Sequence, residues 1–488
     1  MFSFIMEITH RRVTKAPLPP GPKGWPLIGN LLEVPSVEPW KVYAAWGEKW
    51  GGIMSVNVLG QRMIVVNSID IAMNLLDGRS SNYSDRPILT MGGEIIGWNG
   101  VLAFANYGPR FKELRKLLAS AIGSIRNVAR YYPLEELEAR RFVARVTAQP
   151  DEIPKQIRKT TGAIILMISH GYSVREEDDP IVRLAELGGE QLSAVTEPGA
   201  FLVDLIPALR YLPSWFPGTG WKKTAEAWRQ DLLNLVNTPH QFVLDQLAAG
   251  TAVPSYTSDL LEDGKVDHDM VKWSAMTIYS AGADTTVSAI YTFFLAMTLY
   301  PEAQKKAQEE IFRVVGEDRL PTFADRDSLP YVGALVKEVL RWNPVGPLAL
   351  PHRVTSDDVY EGYYIPKDSL VLVNVWKFVH DPEVYSNPFE FNPSRFLGLK
   401  PERDPREICF GFGRRVCPGS ASAQALLYIT AVMSLAVFDI SKKVDGNGNV
   451  IEPIVRYTST MISHPKPFEC SVKPRSEKAR EMIASVDL

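Results

Sequence analysis

Cysteine is scarce in this chain of 488 residues: Cys409, Cys417 and Cys470 are the whole set. An odd, sparse set excludes a disulfide framework and fits a reducing compartment. Excess charge is missing too, and a net charge of −3 gives no footing for a nucleic-acid binder. A long apolar run is absent from the start, where Met1–Met6 is followed by Glu7, His10, Arg11 and Arg12. A spanning helix needs ~20 apolar residues and a signal-peptide core ~7–15, so neither is expected there. Residues 420–440, SASAQALLYITAVMSLAVFDI, approach spanning length. They carry small and polar residues and follow a Pro-Gly turn, so they read as a buried core helix. There is no repeat and no low-complexity block. The sequon Asn82-Tyr83-Ser84 carries little weight without a sign of secretion.

What is present is ordinary globular composition, 45% hydrophobic and 22% charged. After a short segment over 1–16, a Pro/Gly-rich run over 17–30 reads as an extended, semi-rigid hinge. Strand-like runs follow, IMSVNV and RMIVVN. From about 110 to 345 the pattern is mostly helical. Residues 268–299 have no interior proline and predict one helix roughly 48 Å long. Pro301 suits the first turn of the next helix and Gly316 its C-terminal cap. A third helix is expected over 330–342, and β structure over 354–375 with turns at Glu361-Gly362 and Pro366-Lys367-Asp368. No linker divides residues 31–475, and 476–488 reads as a tail. The expected fold is therefore a single large domain, mainly α with a small β part.

Four constellations could carry chemistry. Cys417 lies in FGFGRRVCPGS, behind Arg414 and Arg415 and before Pro418-Gly419. Pro418 suits the first turn of a helix, and Gly419 allows close backbone approach. A sulfur at a helix N-terminus is favoured as thiolate. It could be a nucleophile, a ligand to an iron such as that of haem, or a buried inert thiol; the cysteine spacing does not suit zinc. AGADTT, residues 281–286, puts Asp284 and Thr285 in the middle of the long helix, where such side chains are disfavoured. Gly282 there costs about 1 kcal/mol against Ala, inviting a local widening, a close ligand or a proton path. Glu338 and Arg341 stand three apart on one helix face and can pair. Arg110, Lys112, Arg115 and Lys116 make a basic cluster able to bind a carboxylate or phosphate, or simply to be solvated.

Together and in this order, these segments resemble the cytochrome P450 family of haem-thiolate monooxygenases. The family's Phe-x-x-Gly-x-Arg-x-Cys-x-Gly loop is matched by Phe410, Gly413, Arg415, Cys417 and Gly419. Its Glu-x-x-Arg motif is matched by Glu338 and Arg341, its Pro-x-Arg-Phe element by Pro393, Arg395 and Phe396, and its oxygen-activation motif by Ala281–Thr285. The likeness runs from near Pro17 to about residue 470 and is strongest to fungal members that oxidise secondary metabolites or foreign hydrophobic compounds. It implies haem b with Cys417 as axial thiolate, Phe410 packed over the sulfur, and Arg115, His352, Arg415 and Gly419 around the cofactor. It implies that Asp284 and Thr285 deliver protons for oxygen activation, and that Glu338, Arg341 and Arg395 form a buried structural network. The implied partners are O₂, a hydrophobic small-molecule substrate and an NADPH-dependent reductase docking near Arg406, Arg414 and Arg415.

The pocket is expected from residues 97–105, Ile278–Ala281 and Pro347–Leu350, with apolar residues 201–221 touching a membrane surface peripherally. The implied place is the cytoplasmic face of the endoplasmic reticulum membrane, with a cytosolic or peripheral protein as the alternative. Two residues depart from the pattern: Phe111 stands where the family often has Trp, and Asp368 where it often has Gly. A haem-thiolate isomerase or dehydratase needing no reductase, or an inactive haem-binding relative, are the alternatives.

Overall fold

The structure, a computed structural model, describes residues 16–175, 178–197 and 199–486. The segment before residue 16, with its basic triplet, lies outside them. Eleven helices carry the argument: α1 (Pro39–Trp50), α2 (Pro109–Ile122), α3 (Tyr132–Ala148), α4 (Ile153–His170), α5 (Pro180–Thr196), α6 (Trp221–Ala249), α7 (His268–Leu299), α8 (Pro301–Val315), α9 (Pro330–Trp342), α10 (Ser420–Val437) and α11 (Glu477–Ala484).

The strands are few and short. β1 (Ile53–Val58), β2 (Gln61–Val66), β3 (His352–Arg353) and β6 (Leu370–Val373) form one sheet in the order β1-β2-β6-β3. β2 and β6 run parallel, Ile64 opposite Val371, and so tie the N-terminal region to the far end of the chain. β4 (Asp358–Tyr360) pairs with β5 (Tyr363–Ile365), and β7 (Phe438–Lys442) with β8 (Cys470–Pro474). The expected turn at Asp368 has φ 62, and its carboxylate accepts from Arg353 at 2.9 Å; a short polar side chain tolerates this conformation.

α7 spans the molecule. Asp267 caps its start by accepting the Asp269 N–H at 3.0 Å, and Pro301 opens α8 directly after it. Its first half, including Ala275, Ile278 and Tyr279, belongs to one apolar core. Its second half, from Val287 to Met297, belongs to another. Between them, Ser280–Thr285 lose their burial. Core packing thus holds both ends and leaves the motif between them open.

α10 is long and apolar enough to cross a membrane, but 67% of it is buried inside the protein. It packs with α3 and α7, as a core helix does. The proline-rich run is extended but docked. Ser55 donates its N–H to Pro20 O and its hydroxyl to Pro19 O, both at 2.8 Å, and Tyr364 N–H donates to Pro17 O at 2.7 Å. Proline keeps its carbonyl while lacking an N–H, so these carbonyls serve here as acceptors for their neighbours. The residues read as a tail include α11, capped by Ser476, with Ala479 and Ile483 buried.

Candidate active site

The cysteine loop is shaped by two glycines. Gly411 (φ 80) and Gly413 (φ 55) take the left-handed conformation. A Cβ on Gly413 would fall 2.1 Å from the Leu76 carbonyl oxygen. The Cys417 N–H donates to Phe410 O at 2.8 Å and closes the loop; the Phe410 ring packs on the larger apolar core. Gly419 is the N-cap of α10, so Pro418 stands before the helix rather than in its first turn. The Gly419 N–H reaches the sulfur. A Cβ on Gly419 would make only ordinary contacts, 3.6 Å to Ile122 Cδ1 and 4.0 Å to the sulfur. What this residue offers Cys417 is its amide.

Burial pushes the Cys417 thiol up, against the Gly419 N–H and the Arg115 charge, and burial prevails. The helix terminus expected to favour thiolate is thus outweighed by desolvation in the protein alone. Cys417 is nevertheless exposed by surface area. The sulfur is thus closely surrounded by protein and still keeps accessible surface.

Beside the loop lies a cluster of cations. Arg415 is 9% exposed and donates to the carbonyls of Ser84 (2.7 Å), Leu102 (3.2 Å) and Ala105 (2.8 Å). Arg86 is 6% exposed and donates to Ala103, Leu350 and Pro351 at 2.8–2.9 Å. His352 is buried, its Nδ1–H donating to Tyr83 O at 2.7 Å. Arg115 donates to Val416 O at 2.7 Å. Burial and the Arg415 charge pull Arg86 down to about 9, and burial brings Arg415 down to about 10. Burial and both guanidiniums hold His352 well below the usual histidine range. Asp85, the acid nearest in charge, is committed to Arg353 and to the Tyr107 N–H. The cluster is short of anionic charge, the environment that a ligand's carboxylates would relieve.

Arg86 was not legible as a site residue, because nothing beside it in the sequence marks it. Phe111, standing for Trp, finds a different use: Arg415 lies 3.8 Å over its ring. Of the basic cluster on α2, only Arg115 turns inward. Arg110 pairs with Asp269 at the surface, Lys116 lies near Glu113, and Lys112 is exposed.

On α7, Thr285 donates its hydroxyl to Ala281 O at 2.6 Å. Asp284 Oδ1 accepts from Arg158 of α4 at 3.2 Å, and Oδ2 faces His464 Nε2 at 3.1 Å. Neither partner was legible from the chain. Gly282 has a packing reason. A Cβ there would meet Ile165 Cδ1 at 2.7 Å, so the glycine lets α4 approach, and α7 stays α-helical without the anticipated widening.

The expected charge network is present and larger than expected. Glu338 receives Arg341 through both oxygens, at 2.7 and 2.8 Å, and Arg395 at 3.1 Å. Arg341 also donates to the carbonyls of Val379, Pro388 and Glu390. Arg395 reaches Glu402 at 2.7 Å, a second carboxylate that balances the second guanidinium. The side chains of Glu338, Arg341 and Arg395 are 0–1% exposed.

Residues 97–105 join α7, Leu102 N–H donating to Thr277 Oγ1 at 3.2 Å. Residues 201–221 expose Leu202, Ile206, Tyr211 and Trp215. A cleft of about 460 Å³ lies against that segment, lined by Ile95, Arg210 and Trp221, and includes nothing from the cysteine loop. Of the arginines expected at a docking surface, Arg415 is interior and must be withdrawn. Arg406 is paired with Asp404, and Arg414 is exposed with a 2.7 Å bond to the Tyr107 hydroxyl.

Comparison with known proteins gives the family. The cytochrome P450 family profile matches residues 19–469. Cytochrome P450 monooxygenase 208 of Postia placenta is 53% identical over 98% of this chain and 94% of its own length. Cytochrome P450 monooxygenase claR of Ampulloclitocybe clavipes is 48% identical over 97% and 89%. Tryptamine 4-monooxygenase of Psilocybe cyanescens is 40% identical over 97% and 96%. With a family match that covers nearly the whole chain, and relatives aligned along almost their full length, this chain belongs to the cytochrome P450 family of monooxygenases.

Proposed function

We propose that the protein inserts one atom of O₂ into a hydrophobic small molecule, using haem b held by Cys417 and electrons from an NADPH-dependent reductase. The observation that carries the reading is the donor set: an accessible sulfur beside buried cations short of anionic partners. A haem brings an iron that takes a thiolate and propionates that take cations. Arg86, Arg115, Arg415 and His352 are the residues to hold the propionates, and the Gly419 N–H to temper the thiolate. When bound, the haem supplies dioxygen activation.

The rest is work for the chain's own groups. Thr285 Oγ1 and the Asp284 carboxylate hold and pass protons from the open middle of α7. Residues 97–105 and Ile278–Ala281 offer apolar surface to the substrate and exclude water. A secondary metabolite such as a terpenoid or polyketide, or a foreign polycyclic or steroid-like compound, suits such walls. Exposed Trp215, Tyr211, Leu202 and Ile206 support peripheral contact with a membrane, at the endoplasmic reticulum by family likeness. Arg414 is the exposed arginine left to steer a reductase toward the loop.

The test is the spectrum of the reduced, carbon-monoxide-treated protein beside a Cys417→Ser control. A strongly red-shifted Soret band present only with Cys417 is expected. A band typical of histidine ligation, or no haem uptake, would overturn the assignment.

A further inference from the structure

Asp284 has two partners of different chemical kind. Arg158 holds Oδ1 at 3.2 Å and His464 faces Oδ2 at 3.1 Å. Burial pushes the Asp284 carboxyl up, yet the His464 hydrogen bond and the His464 and Arg158 charges bring it below the ordinary carboxylate range. The carboxylate therefore accepts, and the shared proton sits on Nε2. A guanidinium does not release a proton in the working pH range, whereas an imidazolium does. Of the two partners, only the histidine can feed the acid.

His464 is also held in place. Its N–H donates to Thr458 Oγ1 at 2.9 Å and its carbonyl accepts the Thr458 N–H at 2.8 Å. The neighbouring Ser463 carbonyl accepts from Ser288 of α7 at 2.5 Å, and the Ser463 N–H donates to Val345 O at 2.8 Å. The loop is thus clipped to the same helix that carries Asp284. The imidazole is 18% exposed, so it meets solvent on one side and the acid on the other. Its charged partner is Asp284 of α7, whose other oxygen is held by Arg158 of α4.

We infer that His464 supplies protons to the oxygen-activation motif. Its Nε2–H passes a proton to Asp284 Oδ2, the carboxyl offers it toward Thr285 Oγ1, and the imidazole regains one from solvent. One N–H bond breaks, one O–H bond forms, and no electrons move. This rests on the monooxygenase reading above.

The experiment uses the haem-loaded full chain with purified reductase and 7-ethoxycoumarin as probe, comparing wild type, His464→Gln and His464→Ala. Gln keeps a hydrogen bond to Asp284 but does not ionise. In both variants, the NADPH oxidation that ends in water or product rather than peroxide falls about tenfold. That is less than the ~10²–10⁴ of a directly acting group, because water still reaches Asp284. Turnover driven by hydrogen peroxide, which brings its own protons, stays at the wild-type level. In ¹³C-histidine-labelled protein, the ring resonance missing from His464→Gln shifts when Asp284 becomes Asn. A Gln variant with wild-type coupling assigns His464 to loop anchoring and overturns the inference. A wild type lacking the thiolate carbon-monoxide band removes the monooxygenase reading instead.

Discussion

Two carboxylates in this protein each stand between two basic side chains, and the two groupings are built differently. Glu338 lies between Arg341 and Arg395, Asp284 between Arg158 and His464. Around Glu338 the side chains are 0–1% exposed. The arginines fill their remaining donors with backbone carbonyls, and Asn392 N–H adds a 2.7 Å bond to the carboxylate. Around Asp284 the exposures are 18–45%, with one bond of 3.1–3.2 Å to each oxygen. The first grouping has no freedom to lose. The second is in reach of water and includes an imidazole, whose ring nitrogens can donate or accept. Similar residue types therefore serve as a fixed brace in one place and, on the proposed function, as a proton route in the other, and burial makes the difference.

The sharpest way to break the comparison is Glu338→Ala. It strands Arg341 and Arg395 in the interior and should cost about 3–5 kcal/mol, read by urea unfolding, with little assembled haem protein recovered. Acidification is the next largest effect. His380, stacked on Trp376 near Arg341, is brought down to about 3 by burial and by the Arg341 charge; His170 on α4 is likewise at about 3, through burial. Both pKa values are lower folded than unfolded, so their stability contribution is full above the ordinary ~6.5. It declines by about 1.4 kcal/mol per pH unit for each as pH falls toward 3. Unfolding midpoints measured between about pH 7 and about pH 5 should follow that slope.

Thr285→Ala should change stability little, by about 1 kcal/mol or less, because its bond only duplicates a helix carbonyl contact. It should divert NADPH oxidation toward peroxide, and unchanged coupling would remove Thr285 from the proton route. Smallest of all, Arg158→Gln removes a half-exposed partner and should cost no more than about 1 kcal/mol. With His464 still in place, its coupling should stay within about twofold of wild type.

Much of the fold could be read along the chain. The α7 boundaries, Pro301 opening α8, Gly316 closing it and the hairpin turns all follow from local rules. Proline position, caps and apolar spacing act within a few residues. Pro418 falls two residues before the first helical residue, Ser420, since its fixed φ suits N1 and a preceding turn alike. Gly282 showed as unusual, but its cause is Ile165, more than a hundred residues away.

The sequence by itself determined the cysteine loop, the long helix with its acid–alcohol pair and the Glu338–Arg341 spacing, because each is a short-range pattern. Only the tertiary structure decided which charges meet. It brought Arg86 beside Arg415, gave Arg395 the second carboxylate of Glu402, took Arg415 off the surface, and set Arg158 and His464 on either side of Asp284. The reason is physical: the strength of a charge pair depends on separation and burial, and both are properties of the folded chain rather than of neighbours along it.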